Sequence, residues 1–356
     1  MNMAEIDKNF AVEESFGRTD IKGYNILNAP FSIHGLLLPQ NEDDCFRRMV
    51  QTEADKVSVR VAHLNTRTAG GRVRFKTDSA FIGIHPIVFN CSRSAHVSFT
   101  CSTGFDLYEK LPDGKLVHRH LFAPPVDPNA PFFGKKELEG GTMREYTIYF
   151  PLYSSVKSLE IFLEEGAHIE APDRYTYETP IVYYGSSITQ GACSSRPGTC
   201  YQSIISRRFD CDYINLGFTG HAKGEPAIAQ YIAGLDMSIF VYDYDYNAPS
   251  DAHYEKTHEN MFRTIREAHP DLPVIFLNRP NLYLHPEAMH RWEITKQTYQ
   301  NAVDNGDKNV YFIDSRDFFD GDRDDCMFVD GTHPNDIGFW SMAKRIGDEI
   351  QKIMEK

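Results

Sequence analysis

The sequence predicts an α/β protein in two parts. An antiparallel, jelly-roll-like β-sandwich spans 1–174, and a flavodoxin-like doubly wound parallel sheet of about five strands spans 175–356. Three observations predict this. The first half carries short β-rich runs punctuated by turn residues. After about Pro172, apolar strand-length runs alternate with helix-length segments. The chain has 356 residues, too many for one average domain and comfortable for two.

In the first half, Val57–Leu64, Arg72–Lys76 and His96–Phe99 alternate like half-buried strands. Further β-rich runs are Phe81–Phe89, Leu116–Phe122, Tyr146–Tyr153 and Val156–Phe162. Gly70-Gly71, Pro112-Asp113-Gly114 and Gly140-Gly141 supply turns between them, the pattern of a sandwich. Ala123–Phe133 is rich in proline and reads as a long exposed loop.

In the second half, Ile181–Tyr184, Tyr213–Leu216, Ser238–Tyr242, Val274–Leu277 and Val310–Ile313 are strands. Helices fit around 199–209, 225–234, 254–268, 287–304 and 335–354. Such βαβ alternation implies a parallel sheet covered on both faces, in the order 2-1-3-4-5.

Composition narrows the function. The chain is 41% hydrophobic and 24% charged, so it is globular rather than disordered. Its formal net charge of −13 speaks against nucleic acid and favours a neutral substrate. Seven scattered cysteines without a Cys-x-x-Cys pair indicate neither a zinc site nor a disulfide framework. With no signal sequence or membrane-length apolar run, the expectation is a cytoplasmic protein with reduced thiols and no membrane partner. No cofactor is expected, and the oligomeric state is left open.

Ligands of an open parallel sheet bind beyond the carboxyl ends of its strands. Ser187 follows the first strand in Gly185-Ser186-Ser187, Gly220 follows the second, and Asn247 follows the third. Asp330 and His333 stand before the last helix, which should return beside the first helix and bring His333 to Ser187. Pro334 suits the first turn of that last helix. These residue types are the nucleophile, base and orienting carboxylate of serine acyl transfer. The backbone N–H groups of Ser187 and Gly220 and the Asn247 amide form an expected oxyanion hole. Taken singly, each has a plainer reading, with Ser187 as a helix cap and Asn247 as a turn residue. Their order along the chain is what unites them.

Other residues invite weaker readings. His221 is expected at the pocket rim, and Trp292 is left open between a place in the cleft and one in the core; both are candidate substrate contacts. Trp340 is expected to pack against the sheet, and His253, His258, His285 and His290 to be surface or supporting residues. The aspartates at 243, 245, 314, 317, 320, 322, 324 and 325 lack calcium-loop spacing; the later run reads as a solvated acidic loop, and no metal is expected.

These segments resemble the ordered blocks of the SGNH (GDSL-like) hydrolases: Gly185-Ser186-Ser187, Gly220, Asn247, and Asp330 with His333. Ser194-Ser195-Arg196-Pro197-Gly198 resembles the region after the nucleophile in the carbohydrate-active branch. Gly104-Phe105-Asp106-Leu107-Tyr108 is similar to the Gly-x-Asp-Leu-Tyr motif of the sandwich that precedes some of these esterases. The chain departs from the family at Ser186, where aspartate is usual, and at Tyr244-Asp245-Tyr246-Asn247. The resemblance implies an esterase that removes O-acetyl groups from neutral hemicellulose oligosaccharides, β-mannan ahead of xylan. The alternatives are a lipid, thioester or other short-chain acyl hydrolase, an acetyltransferase, and a non-catalytic carbohydrate-binding protein.

Overall fold

The computed structural model describes residues 16–127, 130–282, 285–319 and 326–356. Asp320, Asp322, Asp324 and Asp325, together with Pro128 and Asn129 of the proline-rich stretch, lie outside them.

The first half contains β1 (Ile21–Asn25), β2 (Ser32–His34), α1 (Gln51–Val57), α2 (Val59–Leu64), β3 (Arg72–Thr77) and β4 (Phe81–Phe89). It continues with α3 (Phe99–Thr103), β5 (Phe105–Lys110), β6 (Leu116–Phe122) and β7 (Gly134–Glu137). β8 (Arg144–Tyr149), β9 (Ser155–Glu164) and β10 (Ile169–Glu170) complete it. One antiparallel sheet runs β1-β9-β4-β7 and the other β10-β3-β8-β5-β6, with β2 added on β3. The period-two pattern is literal. Val73 and Phe75, Ile82 and Ile84, Phe105 and Leu107, and Tyr146 and Ile148 all enter one shared core.

Two of the expected strands are helical. Val57–Leu64 falls in α1 and α2, because the Ser58 hydroxyl accepts from the Val61 amide and caps a second helix. Its apparent alternation tracks no buried face, since Val59 is 86% exposed. His96–Phe99 is also not a strand: Ser94 and Val97 form one isolated bridge, and Ser98 caps α3.

The second half carries β11 (Tyr177–Gly185), α4 (Ser187–Gln190), α5 (Tyr201–Phe209), β12 (Cys211–Gly217), α6 (Pro226–Ala233) and β13 (Ile239–Asp243). Then follow α7 (Asp251–Ala268), β14 (Val274–Phe276), α8 (Met289–Asp304), β15 (Val310–Phe312) and α9 (Asp336–Met354). The sheet is parallel, in the order β12-β11-β13-β14-β15, which is the expected 2-1-3-4-5. One face packs Ile205 of α5 and Phe339, Met342 and Ile346 of α9. The other packs Ile228 of α6 and Met261 of α7, together with Ala54 of α1 and Val61 of α2. Trp340 departs from the expectation: it is 51% exposed, because Phe339 and Met342 occupy the sheet-facing stripe of α9.

The outer face of the second sandwich sheet is the junction between the halves. Arg72, fully buried, donates to the Tyr213 carbonyl and the Asp212 carboxylate. Arg48 donates to the carbonyls of Asn215 and Gly217. These alternate carbonyls lie along β12, an edge strand of the parallel sheet, so two arginines of the sandwich half satisfy its open side. Among the described residues Arg48 has no carboxylate as a hydrogen-bond partner, and burial pulls its guanidinium down to about 9. Gly70, at φ +85°, lies against Asn215, where a Cβ would come within 2.7 Å of that side chain.

Candidate active site

Ser187 begins α4 directly after β11, where Ser186 caps the helix by accepting from the Ile188 amide. Ser187 is 9% exposed and Ser186 only 2%. The hydroxyl Oγ of Ser187 lies 2.9 Å from Nε2 of His333. Nδ1 of His333 lies 2.8 Å from Oδ2 of Asp330. The other Asp330 oxygen accepts from the amides of His333 at 2.8 Å and Thr332 at 3.0 Å. Burial raises the Asp330 carboxyl, and these amide and ring hydrogen bonds more than offset it, holding the group below its ordinary value.

The last segment is pinned at several points. Gly331 takes a left-handed φ of +74°, and its carbonyl accepts from Asn281. Thr332 pairs with the Tyr246 hydroxyl at 2.9 Å. Asn335, not Pro334, leads into α9: its side chain caps the amides of Ile337 and Gly338, and Pro334 bridges back to Phe328. Asp336 then accepts from Ser195 and Thr199, tying the start of α9 to the loop after the nucleophile helix.

Gly220 ends the β12 loop at φ +69° and is exposed. Asn247 follows β13, with its Oδ1 buried and without a hydrogen-bond partner among the described residues. In the 2-1-3 strand order their loops flank that of Ser187. His221 is half-buried beside Gly220, with Nδ1 2.6 Å from the Gly220 carbonyl oxygen. Trp292 is not an open platform. It is 8% exposed, packed with Leu282, Ala288 and Phe312, and Arg316 and Lys296 lie over its ring. His258 is buried rather than superficial, and burial pushes its imidazole down to about 3, so it is neutral.

Several neighbours of the nucleophile were not read from sequence. The Tyr153 hydroxyl, from the sandwich half, donates to the Ser187 carbonyl at 3.2 Å and accepts from Thr219 at 2.8 Å. Beneath the turn, Asp243 accepts from the Thr189 hydroxyl at 2.8 Å, while its other oxygen is buried without a hydrogen-bond partner among the described residues. Burial pushes its carboxyl up to about 8 against the Thr189 bond, and Asp245 adds to the rise. Asp245 is buried and paired with Arg279 at 2.7 Å. His96 stacks on His333, with ring centroids 5.4 Å apart. Only the position of Asp243, one residue past the third strand's apolar run, was a usable signal in the sequence.

The two sequence motifs flanking the site meet. Oδ2 of Asp106 accepts from the Arg196 guanidinium at 2.9 Å and the Gly198 amide at 2.7 Å. A Cβ at Gly198 would come within 2.6 Å of the Tyr108 ring. The Gly-Phe-Asp-Leu-Tyr strand thus clamps the loop that follows the nucleophile helix.

A five-stranded parallel sheet here carries a serine, an imidazole and a carboxylate in hydrogen-bonded sequence beyond its strand ends, the groups that serine acyl transfer uses. Residues 178–354 match the GDSL-like lipase/acylhydrolase family, and residues 21–169 match the N-terminus of SGNH-hydrolase-type esterases. A protein described as a GDSL-like lipase from Bacteroides ovatus is 30% identical, with a TM-score of 0.82 over 94% of this chain and 98% of that one. A salicylyl-acyltransferase from a tetracycline biosynthetic pathway superimposes with a TM-score of 0.77 at 18% identity, over 94% of this chain and 98% of that one. An acetyl xylan esterase from the rumen bacterium Butyrivibrio proteoclasticus gives a TM-score of 0.55 at 12% identity, over 95% and 99%. No curated protein sequence matches the chain. The chain belongs to the GDSL-like lipase/acylhydrolase family. It is a carboxylic ester hydrolase. Among the described residues no helix is long and apolar enough to cross a membrane.

Proposed function

We propose that the protein removes O-acetyl groups from neutral hemicellulose oligosaccharides, β-mannan ahead of xylan, and that Ser187, His333 and Asp330 carry the reaction. The observation that carries this reading is the relay from Ser187 Oγ to His333 Nε2 at 2.9 Å and from His333 Nδ1 to Asp330 at 2.8 Å. Ser187 Oγ attacks the acetyl carbonyl while Nε2 takes its proton, and Asp330 holds Nδ1–H and stabilises the imidazolium. The amides of Ser187 and Gly220 and the side-chain amide of Asn247 face the developing oxyanion. His333 returns the proton to the departing sugar hydroxyl, and water then releases acetate by the same steps. We assign 175–356 to this chemistry and 1–174 to shaping its loop. Likeness in fold to an acetyl xylan esterase supports the acetyl sugar. The test is acetate release from acetylated mannan and xylan oligomers and from para-nitrophenyl acetate. No acetate from any of them overturns the reading.

A second reading, acyl transfer to an alcohol, is favoured by the likeness to the salicylyl-acyltransferase. Offering an alcohol acceptor alongside para-nitrophenyl acetate separates the two. An acetylated acceptor formed in preference to acetate supports transfer.

A further inference from the structure

Beside the catalytic imidazole stand two side chains that the hydrolytic mechanism does not use. His96 comes from the loop before α3 in the sandwich half, and Cys193 from the loop after α4. One donor atom from each of His96, Cys193 and His333 lies within 4.8 Å of the other two. Cys193 holds a left-handed φ of +72°, a conformation uncommon for a residue with a side chain. In that conformation its Sγ donates to the His96 carbonyl at 3.2 Å, which fixes the two loops to each other.

We propose that His96, Cys193 and His333 bind a borderline-soft divalent cation, zinc in type, and that its occupancy switches the enzyme off. Two imidazoles and a thiolate are a donor set that zinc accepts, with the fourth tetrahedral position left for water. Zinc bonds of about 2.1 Å to nitrogen and about 2.3 Å to sulfur place ligand atoms roughly 3.3–3.8 Å apart. The cluster therefore contracts on binding. His96 is exposed, so its ring is free to turn out of its stack on His333 and present a lone pair. While the site is empty, the Cys193 thiol keeps its proton and donates it to the His96 carbonyl. Binding forms the metal–sulfur bond and releases that proton to solvent.

Inhibition follows from what His333 already does. One ring nitrogen faces Ser187 and the other faces Asp330, so a cation on either displaces one of them. The metal is thus a reversible blocker of the base and has no part in turnover.

The regulatory part rests on the esterase reading, and the test separates the two. The reduced protein is titrated with Co²⁺, following the thiolate-to-cobalt absorption and its displacement by Zn²⁺. Hydrolysis of para-nitrophenyl acetate is measured in parallel against Zn²⁺, then after adding EDTA. The expected result is one thiolate-ligated Co²⁺ per chain, loss of hydrolysis on the same zinc titration, and recovery with EDTA. Cys193→Ser and His96→Ala should keep basal turnover, lose the cobalt band, and need at least tenfold more zinc for inhibition. Cys326→Ser should behave as wild type. A missing thiolate band, or zinc inhibition unchanged in Cys193→Ser and His96→Ala, overturns the site. A protein that binds cobalt through Cys193 yet hydrolyses no ester overturns the esterase reading instead.

Discussion

Asp243→Asn is the sharpest test of the chemistry beneath the nucleophile turn. The Asp243 carboxyl is raised from 3.8 to about 8, so the folded chain holds a proton there that the unfolded chain has already lost. Between those values unfolding releases a proton, and stability falls as pH rises, by about 1.4 kcal/mol per pH unit. Over the whole interval this amounts to at most roughly 5–6 kcal/mol, an upper bound for a buried group. Asparagine keeps the acceptor for Thr189 and never ionises. The variant should therefore match wild type near pH 4 and exceed it in stability by several kcal/mol at pH 8. Thermal melts from pH 4 to 9 measure the difference, read as a gap in Tm that widens with pH. Parallel curves, or a variant less stable than wild type at pH 8, would refute the protonated buried acid.

Other outcomes are as definite. Ser187→Ala should reduce esterase turnover on the order of a thousandfold or more, whereas Ser186→Ala should remain active and lose about 1 kcal/mol of stability with its helix cap. The reverse result in a para-nitrophenyl acetate assay means that the wrong serine was chosen. Asp106→Ala strips the carboxylate from Arg196 and Gly198 and should cost about 3 kcal/mol or more, as breaking a buried ion pair does, seen as a lower Tm. Asp106→Asn, which keeps an acceptor for the Gly198 amide, should lose less. Arg48→Met leaves the carbonyls of Asn215 and Gly217 without their donor, at about 1–3 kcal/mol for each buried group. Light scattering on warming should show it aggregating before wild type.

The parallel sheet was legible because its strands are buried on both faces and stand out as short apolar runs between helical segments. The meeting of Ser187, His333 and Asp330 was legible because strand order decides which strand ends come together. Local alternation was a poorer guide. In 57–64 it competed with a capped helix, and Ser58 decided the contest. Trp340 was expected against the sheet and is exposed, while Trp292, left open, is buried, since neither residue type nor helical position says which face a neighbouring element will cover. Tyr153 and His96 had no signal at all. Their roles depend on how the sandwich docks, and no spacing along the chain encodes that.

The arginines along β12 carry a consequence for how the chain is made. Synthesis runs from the amino end, so Arg48 and Arg72 leave the ribosome well before Cys211–Gly217, and domains generally fold as they emerge. The sandwich can thus be waiting when the parallel sheet forms, and its guanidinium groups meet the newest open edge before another chain does. A fragment beginning at 175 would keep every residue assigned to catalysis and still show that edge bare. The first half thus covers, within the same polypeptide, the open edge of the half that holds the serine.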